Sequence, residues 1–178
     1  MKEVVLHGRT FEPYLTGEQV SAAVRELGLR LKNDFKDRDP LFVCIMNGSF
    51  MFASELMYTI DEEWEVAFAR YKSYEGTQST GRLQELMPVT QDLKGRVVVI
   101  VEDLIDTGYT VYCLKKLFLE QGAAEVHIAA MLRKPEAVSC DVDTDYVAMD
   151  IENKFILGHG LDYDEYGRMY KDIYQLKD

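Results

Sequence analysis

The sequence predicts an α/β fold, a mainly parallel sheet flanked by helices on both faces, and three observations carry that prediction. Short continuous apolar runs at 41–46 (LFVCIM) and 97–101 (VVVIV) have the character of strands covered on both sides. Segments of helical period alternate with such runs, and their connections are too short for anything but crossovers. With 178 residues, 47% of them hydrophobic, the chain can bury one sizeable core, and no repeat or linker divides it, so residues 1–178 read as a single domain.

The elements follow in order. Residues 1–15 carry no assignable pattern. From Thr16, Val20, Val24, Leu27, Leu31 and Phe35 recur at 3.6-residue spacing, and Thr16 with Gln19 forms a capping box, so an amphipathic helix is predicted. The strand at 41–46 ends at Asn47, Gly48 and Ser49. FMFASELMYTI is apolar nearly all round and reads as a buried helix, and the alternating WEVAFARY at 64–71 reads as the next strand. Residues 72–86 are polar and aperiodic, which predicts a long functional loop. A strand at 97–101, a short loop, a helix ending at Gly122, and strands at 125–132 and 145–151 complete the prediction.

Composition excludes several functions. A net charge of −11 repels polyanions over most of the surface, which argues against nucleic acid and anionic lipid. No stretch approaches the roughly 18–20 apolar residues of a membrane span. The N-terminus lacks a signal-type apolar core, so a soluble, cytoplasmic protein is expected. Cys44, Cys113 and Cys140 are odd in number and widely spaced, unlike a disulfide framework or zinc site.

In open α/β sheets ligands bind at the carboxyl ends of the strands. Directly after VVVIV stand Glu102 and Asp103, whose carboxylates suit Mg²⁺ or the hydroxyls of a sugar diol. The turn Asp106, Thr107, Gly108, Tyr109, Thr110 then opens a helix, offering backbone N–H groups, two hydroxyls and the positive helix end to a phosphate. Diol or cation ligands beside a phosphate cradle describe a ribose 5-phosphate site, with Asp106 free for acid–base work.

This strand–loop–helix resembles the signature of the type I phosphoribosyltransferases, which bind phosphoribosyl pyrophosphate. KSYEGTQSTG at 72–81 is similar to that family's Ser-Tyr catalytic loop, MNGSF at 46–50 to its pyrophosphate loop, and KFILGHGLDYDEYGR at 154–168 to the purine hood of the 6-oxopurine subgroup. The resemblance runs from about 41 to 168. It implies a small hood built from the N- and C-terminal segments, including about 151–178.

The resemblance also implies roles. Glu102 and Asp103 hold the ribose hydroxyls or Mg²⁺, 106–110 wrap the 5-phosphate, and Asp106 is the acid or base at purine N7. Lys134 donates to the 6-oxo oxygen, which disfavours a 6-amino purine because an ammonium cannot accept a hydrogen bond. Phe155 stacks on the purine and Ile156 meets its edge through backbone. Asp162 lies near the purine and the Mg²⁺, while Asn47, Gly48 and Arg168 face pyrophosphate. Ser73 and Tyr74 belong to the loop that excludes water from the reacting centre. The expected partners are phosphoribosyl pyrophosphate, a 6-oxopurine and further copies of the chain in a homodimer or homotetramer.

One departure is Asn47, where many relatives carry Lys or Arg. The implied activity is phosphoribosyl transfer to N9 of hypoxanthine and guanine. Xanthine preference stays open, as does a nucleotide-sensing RNA-binding regulator, though the acidic balance opposes the latter. GTQSTGR at 76–82 falls short of a P-loop, since Arg82 and Leu83 replace its Lys and Ser/Thr.

Overall fold

A computed structural model of the protein describes residues 1–73 and 83–177. The chain order is β1 (Val4–Leu6), β2 (Arg9–Leu15), α1 (Gly17–Phe35), β3 (Leu41–Ile45), α2 (Phe50–Ile60), β4 (Glu65–Ser73), β5 (Leu83–Met87), β6 (Val97–Ile105), α3 (Tyr109–Glu120), β7 (Glu125–Arg133), β8 (Tyr146–Asp150), β9 (Ile156–Leu157) and β10 (Ile173–Leu176). The main sheet runs β5-β4-β3-β6-β7-β8. Every pair in it is parallel except β4–β5.

Alternation along the central strands explains the two layers of helix. Phe42 and Cys44 of β3 and Val99 and Val101 of β6 pack with α1 and α2, while Leu41, Val43, Ile45, Val98 and Ile100 pack with α3 through Val111, Leu114 and Phe118. Both faces being apolar, these strands read as continuous hydrophobic runs. The α1 stripe is buried from Val20 to Phe35, each large side chain contributing about 1.5–3 kcal/mol. The capping box forms, Thr16 Oγ1 accepting from Gln19 N at 3.2 Å while Gln19 Oε1 accepts from Thr16 N at 2.9 Å.

Three expectations need correction. The 72–86 segment is not all loop, because β4 runs on to Ser73 and β5 pairs antiparallel with it. As an edge strand with most of its residues exposed, β5 has no buried face to impress a period on its sequence. Second, β6 does not stop at Val101: its ladder to β7 continues through Glu102–Ala130 and Leu104–Leu132, so the two acids stand on the strand itself. Third, residues 4–15 form β1 and β2, which join β9 and β10 in a separate antiparallel sheet of order β1-β2-β10-β9.

That small sheet is tied to the main body where Gly17 N donates to Asp172 Oδ1 at 2.7 Å. Tyr163, Tyr166, Tyr170 and Tyr174, spaced as on a helix, lie instead in turns and β10, where Tyr163, Tyr170 and Tyr174 pack with Phe11 and Leu157. No described helix is long and apolar enough to cross a membrane.

Candidate active site

A cavity of about 340 Å³ opens at the carboxyl ends of β3, β4 and β6, lined by Asn47 and Gly48, Tyr71 and Lys72, residues 102–111, and Asp162 with Arg168. The fold thus gathers most of the residues singled out in the sequence around one opening, as a parallel sheet should.

On its floor, α3 starts directly after Gly108, whose φ of +81° suits glycine. Thr107 O accepts from Ser139 N at 3.0 Å and Gly108 O from Tyr112 N at 3.0 Å, which fixes the turn against the 138–142 segment and the helix. The Tyr109 phenol is raised above its usual value, first by its hydrogen bond with Cys113. That contact lies along α3, leaving the Tyr109 backbone at the turn. The 106–110 turn therefore presents the amino end of a twelve-residue helix to the cavity.

Beside it, Glu102 is 8% exposed. Burial, then the neighbouring Asp103 carboxylate, pushes its carboxyl well above the usual range. Burial also raises Asp103, against the lowering effect of its hydrogen bonds with Glu102 and with Leu104 N. Glu102 Oε2 is buried without a hydrogen-bond partner among the described residues. Such an acceptor suits hydroxyls or a hard cation. Among the described residues no three His, Cys, Asp or Glu side chains cluster as a complete metal site, so a cation here has to draw further oxygens from a ligand.

Above this floor, Lys134 Nζ donates to Asp106 Oδ2 at 2.9 Å, and Lys134 N donates to Ile105 O at 2.9 Å. The pair is asymmetric, since the Lys134 side chain is 7% exposed and that of Asp106 50%. Phe155 is half-exposed, so it is not ordinary core, and Tyr163 meets it edge-on with ring centroids 5.6 Å apart. Ile156 is buried in β9 and pairs with Gln175 of β10. Neither Phe155, Ile156 nor Lys134 lines the cavity.

On the opposite wall the Met46–Asn47 peptide is cis, and Ser49 Oγ donates to Ile45 O at 2.6 Å. Gly48 approaches Asp103 so closely that a Cβ would overlap its carboxylate, and Gly160 approaches the Gly48 carbonyl in the same way. Arg168 Nη2 meets Asp162 Oδ1 at 2.9 Å and Glu165 Oε2 at 2.8 Å, while its Nη1 donates to Gly160 O at 2.9 Å. The guanidinium is held as a planar fork at the cavity rim.

The Ser73 backbone ends β4, whereas Tyr74 lies outside the described residues. Sequence reasoning missed Tyr71 and Lys72, which line the cavity. Their position just at the end of a parallel strand was the available signal.

With this geometry in view, the chain matches the phosphoribosyl transferase domain over residues 11–164. It is 41% identical over 162 residues, 90% of each chain, to a hypoxanthine-guanine phosphoribosyltransferase of Streptococcus pneumoniae. To one of Streptococcus thermophilus it is 40% identical over 149 residues, 83% of each. A solved hypoxanthine phosphoribosyltransferase of Staphylococcus aureus superposes with a TM-score of 0.88 at 33% identity, covering 93% of this chain and 91% of that one. Strand order, the 106–110 turn at the head of α3 and these likenesses agree: the chain belongs to the phosphoribosyl transferase domain family.

Proposed function

We propose that the protein is a purine-salvage enzyme that transfers the phosphoribosyl group of phosphoribosyl pyrophosphate to N9 of hypoxanthine, and of guanine, forming the nucleoside monophosphate and pyrophosphate. The observation that carries this reading is the Lys134–Asp106 pair beside a phosphate turn. It sets a hydrogen-bond donor for a 6-oxo group next to a carboxylate able to take a purine proton. The names of the relatives point the same way.

In this reading the 106–110 turn holds the 5-phosphate, and Glu102 and Asp103 accept from the ribose hydroxyls. A purine that takes the Lys134 hydrogen bond at O6 releases Asp106, which takes the proton at N7 as N9 bonds to C1′ of the ribose. Arg168 and the backbone of Asn47 and Gly48 receive the departing pyrophosphate, and Phe155 stacks on the base with Ile156 at its edge. Ser73 and Tyr74 serve to keep water from C1′. Mg²⁺, for which Glu102, Asp103 and Asp162 are the candidate ligands together with substrate oxygens, supplies charge neutralisation on the pyrophosphate.

Residues 1–178 then form one domain, with the small sheet and about 151–178 as the hood over the base. The reading also carries a cytoplasmic location and a homodimer or homotetramer. Its test is nucleotide formation from phosphoribosyl pyrophosphate and Mg²⁺ with hypoxanthine, guanine, xanthine and adenine in parallel, beside an Asp106→Asn variant. Turnover of hypoxanthine and guanine, adenine inert and the variant slower by about 10²-fold or more, is the expected result; no turnover with any purine overturns it.

A further inference from the structure

His159 lies between Gly158 and Gly160 in the segment that leads to Asp162 and Arg168, and it is completely buried. Its backbone adopts a φ of +51°, a left-handed conformation that strains a side-chain-bearing residue and persists only where the surroundings hold it. Two hydrogen bonds hold it here, and a carboxylate faces its other ring nitrogen. His159 N donates to Tyr170 O at 2.7 Å, Nδ1 lies 2.9 Å from Lys171 O, and Nε2 lies 3.4 Å from Glu55 Oε1 on α2.

The chemistry of these partners constrains the ring. A carbonyl only accepts, so Nδ1 carries a hydrogen. A neutral ring then turns the Nε2 lone pair toward an oxygen of the partly exposed Glu55 carboxylate, two acceptors facing each other. Nε2 and Glu55 Oε2 are in fact both buried without a hydrogen-bond partner among the described residues. A single proton between Nε2 and the Glu55 carboxyl converts that repulsion into attraction. Ser21 Oγ of α1, donating to Glu55 Oε1 at 3.2 Å, aims the carboxyl.

The pair joins two walls of the cavity. Glu55 belongs to the helix that begins just after the 47–49 turn, and the residue after His159, Gly160, sits against the Gly48 carbonyl. Gly160 also exchanges hydrogen bonds with Arg168, its N donating to Arg168 O at 3.0 Å and its O accepting from Nη1 at 2.9 Å. A shift of the 158–160 turn therefore moves Arg168 and the 47–48 backbone apart, while the 106–110 turn on α3 is untouched.

We propose that His159 is a positioning residue that, through a proton shared with Glu55, clamps the 158–160 turn to α2 and so sets the spacing of Arg168 and Gly48 for a diphosphate. The inference rests on the functional reading above only in taking that wall as the pyrophosphate side.

Calorimetric binding of pyrophosphate with Mg²⁺, and separately of ribose 5-phosphate, tests it in the whole protein and needs no turnover. His159→Phe and Glu55→Leu are expected to weaken pyrophosphate binding about tenfold, or roughly 1.4 kcal/mol, and to leave ribose 5-phosphate within about twofold. Glu55→Gln, whose amide offers Nε2 a permanent N–H, should restore near-native pyrophosphate affinity, a rescue that a merely structural role does not require. If His159→Phe does not fold, the two Glu55 variants carry the comparison. Unchanged pyrophosphate affinity in the folded variants, equal loss of both ligands, or Glu55→Gln failing as Glu55→Leu does overturns the clamp. A wild-type protein that binds neither ligand instead removes the functional reading on which the clamp rests.

Discussion

The Lys134 ammonium donates to Asp106 Oδ2 at 2.9 Å from a side chain only 7% exposed, so a nearly buried charge is neutralised by a carboxylate at the cavity edge. Burying that charge is tolerable because of the pairing. In the proposed reaction the same two groups part, one to the 6-oxo oxygen and one to N7. Lys134→Gln is expected to lower kcat/KM for hypoxanthine by about 10- to 100-fold, the worth of one charge-assisted hydrogen bond. It should also narrow the preference over adenine, since an amide can accept from a 6-amino group. Parallel assays with both bases check this, and an unchanged preference counts against Lys134 as the specificity residue.

Glu102 should be a stability cost kept for function. Its carboxyl is held above the unfolded value of about 4.5 by burial and then by Asp103. The folded state therefore binds more protons than the unfolded one, and stability falls as pH rises above about 4.5 toward the folded-state value. Glu102→Gln, which cannot ionise, is expected to flatten that fall and to raise the thermal midpoint at pH 7 by a few degrees, about 2–4 °C, in the absence of ligand. Ribose 5-phosphate affinity should drop about tenfold through loss of a charged acceptor. Thermal scans from pH 5 to 8 decide it: a lower midpoint at every pH contradicts the account.

Gly48→Ala places a Cβ into the Asp103 carboxylate. Either the 47–49 turn or Asp103 has to move, and both line the cavity. The expected outcome is an intact fold by circular dichroism with KM for phosphoribosyl pyrophosphate raised about tenfold, of the order of 1–3 kcal/mol for overpacking. A KM equal to wild type shows that the close approach is dispensable.

Phe11→Ala and Phe155→Ala should separate packing from function. Phe11 is completely buried in the small sheet, and its truncation is expected to cost about 3–5 kcal/mol. Phe155, 48% exposed, should lose much less stability and instead weaken nucleoside monophosphate binding. Chemical denaturation and calorimetry on the two variants report each effect, and equal destabilisation undermines the stacking role.

The three thiols should divide by burial. Burial pushes the Cys44 thiol up to about 12, whereas Cys113 and Cys140 are partly exposed. Only the thiolate reacts, so an aromatic disulfide reagent at pH 8 is expected to titrate two thiols in the native protein and the third on unfolding. Three fast thiols in the native state rule this out.

The legible parts of the molecule are those whose signal is local. The α1 stripe from Val20 to Phe35, the apolar runs of β3 and β6 and the turn at 106–110 each reveal themselves within a few residues, because burial on one or both faces imposes a period on the side chains. β5 stayed hidden, since an exposed edge strand carries no such period, while β2 acquires its identity by pairing with β10, more than 150 residues away, and the three-residue β1 pairs only with β2. Lys72 and Tyr71 were missed at the end of a strand that continues further than its alternating stretch.

By itself, then, the sequence determined a helix-covered parallel sheet and the set of acids, hydroxyls and cations gathered at its carboxyl end. These follow from local periodicity and from residue chemistry. Only the tertiary structure decided that Lys134 faces Asp106, that Arg168 is gripped by Asp162, Glu165 and Gly160, that Gly48 touches Asp103, and that His159 reaches Glu55. Most of these partners lie far apart along the chain, and the Asp162–Glu165–Arg168 grip depends on a turn with no periodic signature. Which of several charged side chains meet is set by how the two sheets and the helices pack in three dimensions, a relation that no short stretch of sequence encodes.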